Sequence, residues 1–238
     1  MPYLSAMTIA AFAPSLARAL VAAALAMPAP VMAHPHIFID TGVELLHGDD
    51  GRVAAIRIAW TYDELFSLLL LEDLGLDSDY DGVLTNAERQ DLQGFDMAWP
   101  DDWDGDVYVE VDGVALPLGP PQPGVSELLD NGMLYSEHTR VLDRPVDGAL
   151  EALVVKVYDP TFYTSYTILP ERVHSDTSGC QTAVFTPDLD SAYAFLEAAL
   201  AELGAQVDDP FEAVQFPAVG DRFAEEVRLT CAGAEHGG

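Results

Sequence analysis

The chain has 238 residues, half of them apolar, and carries 40 acidic side chains against 10 lysines and arginines, for a formal net charge of −30. Such an acidic surface repels phosphate backbones and anionic lipid, which argues against a nucleic-acid-binding or polybasic membrane-binding protein. The apolar content is too high for an intrinsically disordered chain, and the length suits one domain with a sizeable core.

Residues 1–33 have the order of a secretory signal peptide. They contain no acid, one arginine at position 18, an apolar run, and small residues up to Ala33. Cleavage after Ala33 would export the chain and leave His34 as the mature N-terminus. The apolar run contains two prolines and is too short for a comfortable membrane span. We therefore expect no intrinsic span after cleavage, with an uncleaved anchor as the alternative.

The mature domain begins with a predicted β-hairpin over residues 36–60. Apolar residues alternate along 37–46 and 53–60, and turn-forming residues separate the two runs. Thr61 and Glu64 then match a capping box that opens a helix with leucines over most of its surface. This helix is therefore expected to be buried on more than one side.

An acidic loop of twelve residues after this helix is the most specific motif. It has acids at its first, third and fifth positions, glycine at the sixth and glutamate at the twelfth, which is the EF-hand pattern that surrounds a hard cation with oxygens. The expected calcium ligands are Asp77, Asp79, Asp81, the Val83 carbonyl, Thr85 and a bidentate Glu88.

A second capping box, Thr85 with Glu88, predicts another helix that ends near Gly94. Residues 62–94 are therefore expected to form a helix–EF-hand loop–helix insertion. No second loop of this kind is present in the sequence, so the calcium is expected to be structural. The alternative is an Asp-rich turn that binds nothing.

Most of the remaining elements are predicted strands. The pattern predicts a hairpin at 107–116, a loop at 119–124, strands at 132–141, 150–158, 163–169 and 227–231, a helix at 189–203, and a flexible tail at 232–238. Strands in runs with helices grouped between them favour an α+β fold. We expect a single domain over residues 34–231, in which an antiparallel sheet or sandwich carries the inserted unit and one later helix.

The two cysteines, Cys180 and Cys231, both lie in the part of the chain that would be exported. An oxidising compartment favours a disulfide between them. Closing a loop of this length would stabilise the fold by about 4 kcal/mol in the chain-entropy treatment. A thiolate metal pair is the alternative, but such sites favour closer spacing.

Processing after residue 33 would also create a chain start rich in nitrogen donors. His34 would offer its α-amine and imidazole, and His36 a second imidazole on the same face of an extended segment. With Asp40 as a further candidate, these groups suit Zn²⁺, Ni²⁺, Co²⁺ or Cu²⁺. Two solvated histidines are the alternative. Further ligands from the body of the protein stay open by spacing: His138, His174, Asp63, Glu64 and Asp159.

Several segments resemble an uncharacterised periplasmic family, a domain of unknown function labelled "ABC-type transport system, periplasmic component". The segments are Ala33–Asp40, Trp60–Ser67, Leu71–Leu74, the acidic loop and Val157–Tyr163. Members resemble ZevA-type proteins encoded beside nickel, cobalt or zinc permeases of the NicO/RcnA type. The resemblance implies a periplasmic partner of such a permease that handles zinc or nickel. Its blocks match His34, His36 and Asp159, which with Asp40 form the predicted transition-metal set.

The predicted function is therefore to deliver or buffer a transition metal for a membrane permease, with Zn²⁺ favoured over Ni²⁺, Co²⁺ or Cu²⁺, and not to catalyse a reaction. The sequence contains no P-loop, Gly-x-Ser-x-Gly elbow or His-Glu-x-x-His helix. It also lacks a long histidine-rich segment, which argues against metal storage. The alternatives are an N-terminal-histidine-brace copper protein, either a carrier or an oxidative enzyme, and a calcium-stiffened interaction module.

Overall fold

The computed structural model describes residues 35–100, 103–177, 179–206 and 216–231. The predicted signal peptide, His34 and the predicted tail 232–238 lie outside the described residues. Five strands form the first sheet: β1 (Ile37–His47), β2 (Val53–Tyr62), β5 (Gln122–Leu128), β6 (Leu134–Val146) and β8 (Thr164–Ser175). Their order is β5–β6–β2–β1–β8, and β1 and β8 are parallel, whereas the other neighbours are antiparallel.

A second, antiparallel sheet has five strands: β3 (Val107–Val111), β4 (Val114–Ala115), β7 (Leu153–Val157), β9 (Cys180–Phe185) and β10 (Glu226–Cys231). Their order is β4–β3–β7–β10–β9. Alternate residues of both sheets, such as Ile58 in β2 and Val155 in β7, are fully buried in one shared core. Two sheets that share a core in this way form a β-sandwich.

Three α-helices accompany the sheets in the described part of the chain: α1 (Glu64–Leu74), α2 (Asn86–Asp91) and α3 (Leu189–Gln206). The N-cap of α1 is Asp63, whose carboxylate accepts a hydrogen bond from the Phe66 amide at 2.9 Å. The predicted Thr61 capping box is therefore wrong. Leucines on one side of α1 are exposed, which also contradicts the expectation that the helix is buried on more than one side: Leu65, Leu68 and Leu69 are 66%, 50% and 52% exposed.

The α+β prediction is wrong, because strands dominate the described residues and the three helices are short. Two strands were missed. Pro123 and Gly124 suggest a loop, yet they lie in β5 at the edge of the first sheet, where proline removes no ladder hydrogen bond that the sheet needs. The other missed strand, β9, is the edge strand of the second sheet.

The predicted helix–EF-hand loop–helix unit is also absent from the described residues. Its second helix, α2, has only six residues and buries none of them, so the two helices cannot pack as a pair. Instead, Leu76, Leu84 and Leu92, which are 6%, 2% and 0% exposed, attach this segment directly to the main core. Residues 62–94 are therefore part of the sandwich and not a separate insertion.

The disulfide between Cys180 and Cys231 is present, as predicted. It joins directly opposed residues of β9 and β10, so it ties the closing strand to its neighbour. A structural disulfide indicates folding in an oxidising compartment. In the part of the chain that the structure describes, no helix has the length and apolar character needed to cross a membrane.

Candidate functional site

Three segments that carry the family resemblance meet at one end of the first sheet. The amide of His36 donates a hydrogen bond to the Tyr163 carbonyl at 2.8 Å. Next to it, Ile37 of β1 pairs with Thr164 of β8. On its other side β1 pairs with the end of β2, where Ile39 lies opposite Tyr62. The start of β1 is therefore held between the two other segments.

Asp63 fixes the junction between β1 and α1. One carboxylate oxygen accepts a hydrogen bond from the Phe38 amide and the other from the Phe66 amide, each at 2.9 Å. The Asp63 amide in turn donates to the Phe38 carbonyl at 2.9 Å. Both carboxylate oxygens of Asp63 therefore already accept hydrogen bonds from backbone amides. This gives Asp63 a structural role at the junction.

Asp159 organises the turn into β8 in a similar way. One oxygen accepts hydrogen bonds from the amide and hydroxyl of Thr161 at 2.7 and 2.8 Å, and the other accepts from the amides of Tyr163 and Thr164 at 3.0 Å. Asp159 thus shapes the segment that holds His36. As a metal ligand it would have to share oxygens that already accept four hydrogen bonds.

The predicted transition-metal residues are only partly brought together. His36 is exposed, and its ring lies 4.8 Å from the Tyr163 ring. Asp40 is four positions further along β1, which places it about 13 Å from His36. The end of the sheet therefore joins His36 to the Asp159 turn through Tyr163, but it does not bring Asp40 to the same point.

Two other candidate histidines lie away from this end. His174 is exposed in β8. His138 is only 1% exposed, and neither of its ring nitrogens has a hydrogen-bond partner. Its ring packs edge-on against Trp60 and Trp99, with centroids 4.6 and 5.2 Å apart. Burial lowers the pKa of His138 to about 3, so this residue is a neutral part of the core.

The acidic loop brings carboxylates close together. Carboxylate oxygens of Asp77, Asp79 and Asp81 lie within 4.8 Å of one another, and these residues form the one such cluster of three potential metal ligands among the described residues. Gly82 adopts a left-handed φ of 75° at the sharp turn, where its amide donates to Asp77 at 3.1 Å. The turn thus folds the three acids toward one point.

Glu88 closes the loop from end to end. Its carboxylate accepts hydrogen bonds from the amides of Asp77 at 3.0 Å and Thr85 at 2.7 Å. The Thr85 hydroxyl accepts from the Glu88 amide, so the second predicted capping box is confirmed. The backbone hydrogen bond from Thr85 is the main reason why the pKa of Glu88 is lowered.

Electrostatics favour a cation at this loop. Three carboxylates at such distances repel one another. Within the described residues, no lysine or arginine forms an ion pair with Asp77, Asp79 or Asp81. A hard divalent cation with oxygen ligands would relieve this repulsion.

A cleft of about 250 Å³ lies beside the start of β1. One wall is the inner face of β1, β2 and β8, and the other is formed by α1 with residues 95–96, 103 and 106. We call it the aromatic cleft because most of its large side chains are rings: Trp60, Tyr62, Phe66, Phe95, Trp103 and Tyr166.

Two carboxylates line the aromatic cleft: Asp106 is buried and Asp96 is half-buried. Asp96 accepts hydrogen bonds from the hydroxyls of Tyr62 at 2.8 Å and Ser136 at 2.5 Å, both through one oxygen, and the other oxygen has no partner. Asp106 accepts from the Tyr166 hydroxyl at 2.8 Å and the Trp103 indole at 3.0 Å. Burial raises the pKa of Asp96, and it raises that of Asp106 to about 6.

The family model described as "Protein of unknown function (DUF1007)" matches residues 19–231. The chain belongs to the DUF1007 family. This confirms the expected membership of an uncharacterised family with a domain of unknown function. No curated protein matches the chain.

Sequence reasoning did not find the two cleft acids of this DUF1007 chain. Asp96 and Asp106 stand in a stretch that looks like an acidic linker, and its spacing does not fit a calcium loop. The useful signal was the pair of tryptophans, Trp99 and Trp103, between them. Large aromatic side chains in a loop need a surface to cover, and here they pack over the interior side of the first sheet beside His138 and Arg140.

Proposed function

We propose that this protein is a periplasmic metal-binding accessory protein. It would bind a transition metal at its histidine start, hold a structural calcium ion in the acidic loop, and deliver or buffer the transition metal for a membrane permease. The observation that carries the proposal is the convergence of the Asp63 and Asp159 segments on the backbone around His36.

The transition-metal part rests on nitrogen chemistry. A mature chain that starts at His34 would offer an α-amine and two imidazoles within three residues, which suits Zn²⁺ and the neighbouring borderline metals. The Tyr163 carbonyl accepts a hydrogen bond from the His36 amide, and the Tyr163 ring packs against that of His36. This support would reduce the entropy lost when the segment closes on an ion. Asp159 remains the candidate fourth ligand because its turn adjoins His36.

The calcium part rests on the acidic loop. Asp77, Asp79 and Asp81 cluster at the turn next to Gly82, and carboxylate oxygens are the ligands that calcium prefers. Glu88 lies outside this cluster and closes the loop by accepting a hydrogen bond from the Asp77 amide. Leu84, the eighth residue of the loop, is buried in the main core. A bound cation would therefore stiffen the attachment of residues 62–94 to the sandwich.

A permease of the NicO/RcnA type is the proposed partner, through the family resemblance. The exposed leucines of α1, Leu65, Leu68 and Leu69, offer an apolar surface, and Leu68 lines a small pocket together with Asp77 of the acidic loop. This same surface favours a second candidate function, a calcium-stiffened interaction module without a transition metal. The two candidates differ in whether zinc, nickel, cobalt or copper binds at all.

The deciding experiment is a metal titration of processed protein that starts at His34, beside a form that retains Ala33. We expect Zn²⁺ to bind the processed form, and binding to weaken by about tenfold or more when Ala33 is retained or when His36 is changed to Ala. His174→Ala removes an exposed imidazole elsewhere and should leave the affinity unchanged.

Each result separates the candidates. If the processed form takes up none of the four transition metals, the accessory function fails and the interaction module is favoured. If Ala33 retention has no effect, the α-amine is not a ligand. A strong preference for Cu²⁺ would favour the histidine-brace copper protein instead.

A further inference from the structure

We propose that the aromatic cleft binds a small organic cation, a protonated amine, whose ammonium group is held by Asp96 and Asp106 among the surrounding rings. This inference goes beyond the metal-handling function and does not depend on it. It concerns a set of residues that shares no member with the acidic loop or the histidine start.

The rings of the cleft form a partial cage. The centroid of Tyr62 lies 5.8 Å from that of Phe66 and 5.7 Å from that of Phe95, and Trp60 lies 5.9 Å from Tyr166. The faces of aromatic rings attract cations, most strongly where water is excluded. Such walls suit an alkylammonium ion better than a strongly hydrated metal ion.

The two carboxylates have no cationic partner among the described residues. No described lysine or arginine forms an ion pair with Asp96 or Asp106. The guanidinium of Arg140, which lies over the Trp99 ring, donates instead to the backbone carbonyls of Gly119 and Asp104. The other charges felt by Asp106 are the acids Asp159 and Asp104. A cation in the cleft would therefore meet an uncompensated negative potential.

Unpaired polar atoms point to a missing partner. Asp96 has one buried carboxylate oxygen without a hydrogen bond, and Trp60, which is 2% exposed and lines the cleft, has an unpaired indole nitrogen. Buried groups of this kind cost free energy unless a ligand or water satisfies them. An ammonium group would donate to Asp96, and an uncharged acceptor on the same ligand would pair with Trp60.

The donor set does not suit a metal ion. Within the described residues, Asp96, Asp106 and His138 do not form a cluster of three ligand atoms within coordination reach. The remaining walls offer rings where a hard cation would need oxygens. The volume of about 250 Å³ is also small for a binding pocket, so the ligand should have few heavy atoms.

Three probes of matched size test the proposal: butylammonium, butanol and butyrate at neutral pH. All three tryptophans of the chain are in the cleft or beside it, so intrinsic fluorescence should report binding, with calorimetry as a second measurement. We expect butylammonium to bind at least about tenfold more tightly than butanol, and butyrate not to bind. Equal binding of butylammonium and butanol, or no binding of any probe, would overturn the proposal.

Asp106→Asn removes the charge while keeping the size of the side chain, and it should weaken butylammonium binding by at least about tenfold. Asp143→Asn makes the same charge change at an exposed position outside the cleft and should have no effect. Asp96→Asn repeats the test through the second carboxylate if Asp106→Asn fails to fold. Unchanged binding in both cleft variants would contradict the proposal.

Two controls separate this test from that of the metal-handling function. His36→Ala should leave butylammonium binding intact, even though it weakens zinc binding. Zn²⁺ should not displace butylammonium from the processed protein. If Zn²⁺ displaces butylammonium, and both cleft variants no longer bind that Zn²⁺, the cleft is a metal site and the amine proposal fails.

Discussion

The acidic loop and the aromatic cleft hold their carboxylates in opposite environments. Glu88 of the loop is partly exposed and accepts backbone hydrogen bonds, which lower its pKa. Asp106 of the cleft is 6% exposed, and burial raises its pKa to about 6 despite two hydrogen bonds. Residues that are close in sequence build the loop, whereas distant segments build the cleft. The same side-chain chemistry therefore gives a cluster of carboxylates near the surface and a buried carboxylate whose ionisation is opposed by burial.

Two glycine substitutions should reveal the largest difference in stability between the two regions. Gly105 and Gly82 both have a left-handed φ, of 72° and 75°. A Cβ at Gly105 would lie 2.4 Å from the Trp99 ring, whereas a Cβ at Gly82 would meet nothing within 4 Å. We expect Gly105→Ala to lower the free energy of unfolding by about 3 to 4 kcal/mol and Gly82→Ala by about 1 kcal/mol. Urea denaturation measures both losses of unfolding free energy. Equal losses would show that the Trp99 ring moves aside freely for a Cβ at Gly105.

The pH dependence of stability should differ in sign between the two regions. The folded-state pKa of Asp106, about 6, lies above the ordinary value of 3.8, so the unfolded chain releases its proton first as the pH rises. The contribution of Asp106 to stability should therefore fall between about pH 4 and 6, by on the order of 2 to 3 kcal/mol.

Urea denaturation of wild type and Asp106→Asn over this range, in the presence of a chelator, measures that contribution as a difference. Glu88→Gln is the matched variant in the loop. Because the pKa of Glu88 is lowered in the folded state, its stabilisation is present above its unfolded pKa and is lost as the pH falls. Parallel pH profiles for wild type and Asp106→Asn would contradict the burial of that carboxylate.

Calcium should have a smaller effect on stability, and this effect should be confined to the acidic loop. At about ten times its dissociation constant, Ca²⁺ should raise the free energy of unfolding by about 1.4 kcal/mol. Asp79→Asn should reduce this gain, since it removes one negative charge from the carboxylate cluster. Asp143→Asn, at an exposed position elsewhere, should keep it. Thermal denaturation with calcium and with chelator checks this, and an equal gain in both variants would exclude the loop as the calcium site.

Local patterns predicted much of the strand order along the chain. The β1–β2 hairpin follows from alternating apolar residues around a turn. The predicted helix at 189–203 is confirmed as α3, although α3 continues past Gly204 to Gln206. Expected export to an oxidising compartment predicted the disulfide, and the three-residue spacing of Thr85 and Glu88 predicted the capping box. Each of these features depends on neighbouring residues or on composition, which a sequence displays directly.

The errors and omissions arose where tertiary context decides the outcome. The pattern at Pro123 and Gly124 suggests a loop, and only the position at a sheet edge makes it a strand. The side chains that bury Asp106 come from other parts of the chain, including Tyr166, which is 60 residues away. No local pattern shows that an acid in an apparent linker lies against β8. The leucine-rich α1 and the acidic loop likewise suggest more helix than the fold contains.

The parallel pairing of β1 and β8 has a consequence for the order of assembly. Strand β1 has one neighbour, β2, that follows it directly in the chain, but its other neighbour, β8, begins at Thr164. Since chains cross the membrane from the N-terminus, the histidine segment would stay open on one side until about two-thirds of the polypeptide had been translocated. Under the proposed function, an ion bound there early would lie at a sheet edge with one paired neighbour, and β8 would complete the backbone pairing of this segment only late in translocation.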